Sequence, residues 1–150
     1  MRLVIQRVSE AQVSIEGNIV AKISKGLMVL CGICTTDSED DVVWIAHKLL
    51  QMRIFSDEAG LMNLSVKDIQ SEILMVSQFT LFASTKKGNR PSFIEAARPE
   101  QAIPLYEKFI ALLNTELGKP IATGVFGADM QVQLINDGPV TIIIDSKSRE

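Results

Sequence analysis

The segment EILMVSQFTLF at residues 72–82 is the most apolar strand-like stretch of the chain. Its core at 73–76 is wholly apolar, which is typical of a strand buried on both faces in the middle of a sheet. We therefore predict one central strand over 72–82. Along that strand Gln78, Thr80 and Phe82 would share one face, with neighbouring side chains about 7 Å apart.

Apolar alternation predicts further strands before and after this segment. They cover residues 3–8, 11–15, 19–23, 26–33, 53–55, 130–134 and 140–144. The 11–15 and 19–23 strands flank Glu16-Gly17-Asn18, which is a hairpin signal. A second turn is expected at 57–60, and a plain turn is one interpretation of 136–139 between the last two strands.

Two amphipathic helices are predicted, one on each side of the central strand in the sequence. The first begins near Glu39, within the acidic, N-cap-rich residues 36–41, and runs to about Met52. The second covers about 101–117 and ends at Gly118, with Pro104 near its first turn because a deeper proline breaks the hydrogen-bond ladder. This order predicts an α+β fold, with mixed or antiparallel sheets forming a barrel-like core and the two helices outside.

The composition favours a folded protein that associates with itself. A length of 150 residues suits one domain over 1–150, and 47% hydrophobic with 22% charged residues excludes a disordered chain. A small protein of this composition must expose apolar surface, which favours an oligomer. With no apolar run long enough to span a bilayer and no signal-peptide pattern near Met1, we expect a cytoplasmic protein.

The formal net charge of −3, with no block of like charges, argues against binding nucleic acid through bulk positive charge. DNA is therefore not an expected partner. A local pocket that binds a short RNA end remains compatible with this charge.

Cys31 and Cys34 form a C-x-x-C pattern with three interpretations. Core cysteines are favoured, because the segment is strand-like and cysteine is a common buried residue. A redox pair is disfavoured because four residues separate Cys34 from the predicted helix start. A zinc site would need two further ligands, and His47 is the only histidine. We expect no metal and no cofactor, and a single histidine also argues against a conventional serine or cysteine triad.

Two segments carry polar residues that a buried strand and a plain turn do not require. In SQFTLFA (77–83) the amide of Gln78 and the hydroxyl of Thr80 end an apolar strand. The alternative is that both simply bond to buried backbone or water. In NDGPVT (136–141) the bond before Pro139 is a candidate cis peptide, since about 5% of X–Pro bonds in folded proteins are cis.

SQFTLFA together with NDGPVT closely resembles the D-aminoacyl-tRNA deacylase family. MRLVIQRVSEAQVSIEG (1–17) and GVFGADMQVQLINDGPVT (124–141) are also similar to that family, and the similarity extends from Met1 to Asp145. Phe82 departs from it, because many relatives have tyrosine there. The resemblance implies a homodimeric editing hydrolase that cleaves the ester between a D-amino acid and the 3′-terminal adenosine of tRNA, without a cofactor. Glycyl-tRNA is a further expected substrate, because glycine has no Cβ by which a chirality filter could exclude it.

The resemblance also implies roles for individual residues. The catalytic segment corresponds to Ser77, Gln78, Phe79 and Thr80. A Gly-cisPro dipeptide, here Gly138-Pro139, would enter the other subunit's site as a backbone wall that rejects L-amino acids, braced by Arg7. Phe126 or Met130 would contact the terminal adenine. Cationic side chains on the loop after SQFTLFA could meet tRNA phosphates, or could simply be solvated, and these are Lys86, Lys87 and Arg90.

Two mechanisms fit these residues. In one, backbone N–H groups around Phe79 and Thr80 stabilise the oxyanion while the ribose 2′-hydroxyl activates water. In the other, Thr80 is the nucleophile, which requires an adjacent base that the sequence does not show. A non-catalytic dimeric small-molecule-binding module and a C-x-x-C thiol redox protein are the competing functions.

Overall fold

The computed structural model describes residues 1–149. It contains two α-helices, eight strands and one short 3₁₀ turn. In chain order the elements are β1 (Arg2–Ile15), β2 (Asn18–Ile23), β3 (Gly26–Gly32), α1 (Glu39–Gln51), β4 (Arg53–Ser56), β5 (Met62–Ser65), β6 (Glu72–Ser77), the 3₁₀ turn (Phe79–Phe82), α2 (Pro99–Leu117), β7 (Ala122–Thr123) and β8 (Gln131–Asp145).

Six strands form one mixed, nearly closed and barrel-like sheet. Its order is β2-β1-β3-β6-β7, and β8 pairs with the other edge of β1. The pairs of β1 with β2, β3 and β8 are antiparallel, whereas β3–β6 and β6–β7 are parallel. β4 and β5 form a separate antiparallel pair. The predicted α+β fold class is confirmed.

The central strands β3 and β6 are buried on both faces, which explains the continuous apolar run of β6. Ile73 and Met75 pack in a cluster with both helices, whereas Leu74 and Val76 pack between the strands of the curved sheet. Burial on two faces removes the polar alternation that a solvent-exposed strand would show. Among residues 1–149, no helix has the length and apolar character that a membrane crossing requires.

Both helices begin close to where the sequence places them. The Asp41 carboxylate accepts the backbone N–H of Ser38 at 2.9 Å, which caps α1 as expected. α2 begins at Pro99, two residues earlier than predicted, and Pro104 lies in its second turn, near the first turn as predicted. Pro104 has no N–H group to donate to the Glu100 carbonyl, so α2 lacks this one backbone hydrogen bond and continues beyond it. Gly118 ends it with φ 77°.

The prediction of a strand to residue 82 is wrong beyond Ser77. The Gln78 N–H donates to the Cys31 carbonyl at 2.7 Å, and the chain then forms the 79–82 turn. Leu81 N–H donates to the Gln78 carbonyl at 3.2 Å, replacing the sheet ladder. This turn packs onto Gly32, where a Cβ would lie 3.1 Å from the Gln78 oxygen.

Residues 131–145 form one strand, so the prediction of two separate strands is wrong, and so is the plain-turn interpretation of the residues between them. Gln6 pairs with Thr141 and Val8 with Asn136, which leaves residues 137–140 opposite Arg7 alone. We call this insertion the 137–140 bulge. β1 is likewise one strand where two were predicted, because its pairing with β8 continues from Arg2 to Ser14.

Gly26→Ala should destabilise the fold more than Gly32→Ala does. A Cβ at Gly26 would lie 2.0 Å from the Glu72 backbone oxygen, whereas at Gly32 the nearest atom is 3.1 Å away. We expect urea denaturation to show a loss of about 1–3 kcal/mol or more for Gly26→Ala, the usual cost of overpacking. Wild-type stability of Gly26→Ala, or a larger loss for Gly32→Ala, would contradict this account of the β3–β6 contact.

Candidate active site

A cavity of about 300 Å³ opens at the end of β6. Its walls come from β6, the residues that follow it, α2, and the segment before β8. The lining includes Cys31, Val76, Ser77, Gln78, Phe79, Ala97, Ala102, Tyr106, Phe126, Asp129 and Met130. Three of the four predicted catalytic residues therefore line one cavity, and Thr80 follows directly in the turn.

The 79–82 turn presents two backbone donors without acceptors. Leu81 and Ala83 donate their N–H groups within the turn, at 3.2 Å and 3.0 Å. Phe79 and Thr80 precede them, and in the described part of the chain neither N–H group makes a hydrogen bond. Adjacent free N–H groups at the edge of a cavity can bind an oxygen that carries negative charge.

Gln78 and Thr80 come together, although not on a strand face. The Gln78 Nε2 amide donates to Thr80 Oγ1 across the start of the turn. A carboxamide is not a base, so this contact orients the Thr80 hydroxyl without activating it as a nucleophile.

The buried titratable groups of the cavity are protonated at neutral pH. Burial raises the pKa of the Cys31 thiol to about 12, and burial also raises the pKa of Tyr106. The Tyr106 hydroxyl donates to the Met75 carbonyl at 3.3 Å. Cys31 and Cys34 are both buried and free, as expected of core cysteines. The cavity therefore offers neither a thiolate nor a phenolate as a base or nucleophile.

The sequence did not single out Tyr106 or Asp129 as site residues. Tyr106 sits on the apolar face of α2, so its spacing predicts core packing, and nothing local marks its exposure to a cavity. Asp129 is exposed and is the one carboxylate lining the cavity among residues 1–149. His47 lies instead in a surface groove with Trp44 and Met52.

The 137–140 bulge is exposed and held by polar contacts. Gly138 and Pro139 are joined by a cis peptide bond, and Gly138 has φ 138°. Arg7 Nε donates to the Asp137 carbonyl at 2.9 Å, and Arg7 Nη1 donates to the Ile54 carbonyl at 2.7 Å. The Asn136 side chain accepts the Val140 N–H at 2.7 Å. Arg7 thus lies where a brace for the dipeptide is expected.

Gly138 and Pro139 do not line the cavity of their own chain. The structure therefore brings Arg7 to the bulge, but it does not bring the bulge to the 79–82 turn within one subunit. Both residues of the dipeptide are exposed to solvent.

The predicted RNA-contact residues fall into two groups. Lys86, Lys87 and Arg90 are exposed on the loop after the turn, which is closed by two hydrogen bonds of 2.8 Å between Ser84 and Ser92. The adenine candidates, Phe126 and Met130, line the cavity, and the Phe126 ring meets Tyr106 edge-on at 5.7 Å.

Comparison with known proteins connects this geometry to one family. The family model for D-Tyr-tRNA(Tyr) deacylase matches residues 4–145. Proteins named D-aminoacyl-tRNA deacylase from Cytophaga hutchinsonii and Flavobacterium psychrophilum are 65% and 62% identical, over the whole of both chains.

Two solved structures are similar over nearly the whole chain. A c-Myc DNA unwinding element binding protein is 43% identical with a TM-score of 0.90, covering 97% of this chain and 98% of that one. A probable eukaryotic D-amino acid tRNA deacylase is 17% identical with a TM-score of 0.82, covering 95% and 97%, and shares the fold. The chain therefore belongs to the D-Tyr-tRNA(Tyr) deacylase family of hydrolases.

Proposed function

We propose that this chain, acting as one domain over 1–150 in the cytoplasm, hydrolyses the ester bond of D-aminoacyl-tRNA to free amino acid and tRNA. The observation that carries the proposal is the pair of free N–H groups of Phe79 and Thr80 beside the cavity. The names of its relatives agree, since proteins 62–65% identical are named D-aminoacyl-tRNA deacylase.

In the proposed reaction, water adds to the ester carbonyl carbon to form a tetrahedral intermediate. The Phe79 and Thr80 N–H groups bind its oxyanion, and one such donor typically contributes about 10²–10³ in rate. Collapse of the intermediate breaks the bond to the ribose 3′-oxygen, which takes up a proton as the amino acid leaves. No cofactor enters this scheme.

The substrate's own 2′-hydroxyl, rather than a side-chain base, relays the proton: it accepts a proton from the attacking water and donates its own proton to the departing 3′-oxygen. Thr80 accepts a hydrogen bond from the Gln78 amide, and burial keeps the Cys31 thiol protonated. The rival route, with Thr80 as nucleophile, needs a base beside its hydroxyl. The contact with an amide favours the RNA-assisted route.

A second copy of the chain would complete the site. β8 pairs with β1 along one edge, and in the described part of the chain no strand covers its other edge. Val132, Ile135 and Ile143 are exposed along this strand. A long apolar edge is a site for association, and a two-fold dimer would carry each 137–140 bulge to its neighbour's cavity.

In that dimer, the carbonyl groups of Gly138 and Pro139 would form the wall that selects chirality. D- and L-amino acids differ in the side of Cα that bears the side chain, so a rigid wall blocks every L side chain alike. Arg7 holds this wall through the Asp137 carbonyl. Glycine has no Cβ, so the wall cannot exclude it and glycyl-tRNA should also be cleaved.

The RNA contact would be small and local. Phe126 and Met130 line the cavity and can pack against the terminal adenine, and aromatic stacking suits an unpaired base. Lys86, Lys87 and Arg90 lie exposed after the 79–82 turn and can meet phosphates of the single-stranded 3′ end.

The purified protein should deacylate D-tyrosyl-tRNA much faster than L-tyrosyl-tRNA under reducing conditions. Ester hydrolysis separates this proposal from a binding module, and turnover with all thiols reduced separates it from a disulfide redox protein. Release of labelled tyrosine is the measurement. Equal rates on the two enantiomers, or no turnover of either, would refute the proposed function.

Thr80→Ala should lower activity without abolishing it, because the backbone N–H of residue 80 remains. A substrate ending in 2′-deoxyadenosine should be cleaved far more slowly than the normal substrate, since the ribose hydroxyl is missing. Single-turnover rates measure both effects. Normal cleavage of the deoxy substrate by wild type, together with a dead Thr80→Ala variant, would establish Thr80 as the nucleophile instead.

Gly138→Ala should impair D-substrate turnover, weaken rejection of L-substrates, or both. The added Cβ would lie 2.8 Å from Val140 Cγ2 and 3.0 Å from Arg7 Nη2, so the bulge and its brace must shift. The ratio of kcat/KM for D- and L-tyrosyl-tRNA measures this. Gly60→Ala is the matched control, because Gly60 also has positive φ but no atom within 4 Å. An unchanged ratio in Gly138→Ala would place the selector elsewhere.

Light scattering at micromolar concentration should give twice the chain mass of 16.5 kDa. Replacing exposed apolar residues of β8, as in Ile135→Lys, should shift the mass toward the monomer and reduce activity in parallel. A fully active monomer would contradict a site shared between subunits.

A further inference from the structure

The guanidinium of Arg2 contacts the end of the 79–82 turn and the Asp145 carboxylate of β8. Nη1 donates to the Leu81 carbonyl at 2.7 Å. Nε donates to Asp145 Oδ2 at 2.9 Å, and Nη2 lies 2.8 Å from the same oxygen. The guanidinium carbon lies 4.7 Å from the centroid of the Phe82 ring. Leu81 and Phe82 are the last two residues of the turn.

The turn depends on outside contacts for its orientation. Its own backbone bonds are Leu81 to Gln78 and Ala83 to Thr80, in addition to those inside the 3₁₀ turn itself. Its start is tied to β3, because the Gln78 N–H donates to the Cys31 carbonyl at 2.7 Å. Its underside packs on Gly32, and Gly32 is the residue paired with Arg2 across β1 and β3.

We infer that Arg2 is a positioning residue for catalysis, which fixes the direction of the Phe79 and Thr80 N–H groups by holding the Leu81 carbonyl. This inference rests on the proposed function, because it assigns those N–H groups to the oxyanion. β3 holds one end of the turn and Arg2 holds the other, so the peptide groups between them have one orientation.

Asp145 orients the guanidinium. It is the residue opposite Arg2 in the antiparallel pair of β1 and β8. Although burial alone would raise it, the Lys147 N–H and the Arg2 side chain hold the pKa of Asp145 below its usual range, so the carboxylate is charged at neutral pH. With two guanidinium nitrogens on one carboxylate oxygen, the remaining nitrogen points at the Leu81 carbonyl.

If Arg2 served stability alone, its loss would lower the melting temperature and leave kcat unchanged. The Arg2 side chain is 37% exposed, and exposed ion pairs contribute little to folding. In contrast, small displacements of catalytic groups change rates by up to about 100-fold. Loss of Arg2 contacts should therefore reduce kcat while leaving the melting temperature nearly unchanged.

Arg2→Met tests the inference, because methionine keeps an apolar stem against Phe82 and removes every donor. We expect kcat on D-tyrosyl-tRNA to fall about 10-fold or more, with KM within about 2-fold, as misplacement of donors predicts. Arg2→Lys should recover part of the loss, since one ammonium cannot serve both partners fully. Lys67→Met is the control, because it breaks the exposed 3.4 Å pair with Glu116, and it should leave kcat unchanged.

Hydrogen–deuterium exchange of the free protein supplies a readout that needs no substrate. Arg2→Met should speed exchange at the Leu81 and Ala83 amides of the turn, and Lys67→Met should not. A kcat within about 2-fold of wild type in Arg2→Met, or unchanged exchange in the turn, would overturn the inference. If Arg2→Met does not fold, Asp145→Asn decides by the same two readouts.

The outcome that refutes the proposed function can be distinguished from the outcome that refutes the role of Arg2. In that case wild type itself does not cleave D-tyrosyl-tRNA, whichever residue stands at position 2. The assignment to catalysis then falls with the function. The exchange data alone still show whether Arg2 orders the turn.

Discussion

The pairing of β1 with β3 on one edge and β8 on the other is the interaction on which the rest of the structure depends. β1 is 14 residues long, and its register places Arg2 opposite both Gly32 and Asp145. The same register leaves Arg7 opposite the 137–140 bulge. One strand therefore carries an arginine beside each segment of the proposed site, and each arginine donates to a backbone carbonyl of its segment.

The proposed chemistry follows from a site that is mostly backbone. Free N–H groups come from the 79–82 turn, and the proposed chirality wall comes from carbonyl groups of the bulge. The buried thiol and phenol in the cavity are held in their neutral forms. Such a site suits an activated ester, for which stabilising the oxyanion matters more than a strong base. Backbone groups also make no demand on the identity of the amino acid side chain, provided that its chirality is right.

Patterns that depend on burial could be predicted from the sequence, whereas features set by distant partners could not. The apolar run of β6 correctly indicated a strand buried on both faces. Its end at Ser77 was missed because it depends on the Cys31 carbonyl and on Gly32, which lie far away in the chain. Residues 136–139 have the composition of a turn. Because β8 pairs with β1 both before and after them, they form part of a bulge within β8 instead. Gln78 and Thr80 were expected together on a strand face and meet through the turn. The cis bond and the place of Arg7 followed from the family resemblance, and the local sequence alone left them open.

The most direct test of this account is a crystal structure with D-tyrosyl-adenosine in which a 3′-amide replaces the ester. The account predicts the substrate carbonyl oxygen within hydrogen-bond distance of the Phe79 and Thr80 N–H groups. It also predicts Gly138 of the partner subunit against the Cα of the tyrosyl group, with the adenine beside Phe126. An analogue bound away from the 79–82 turn, or a bulge that approaches no second cavity, would contradict it.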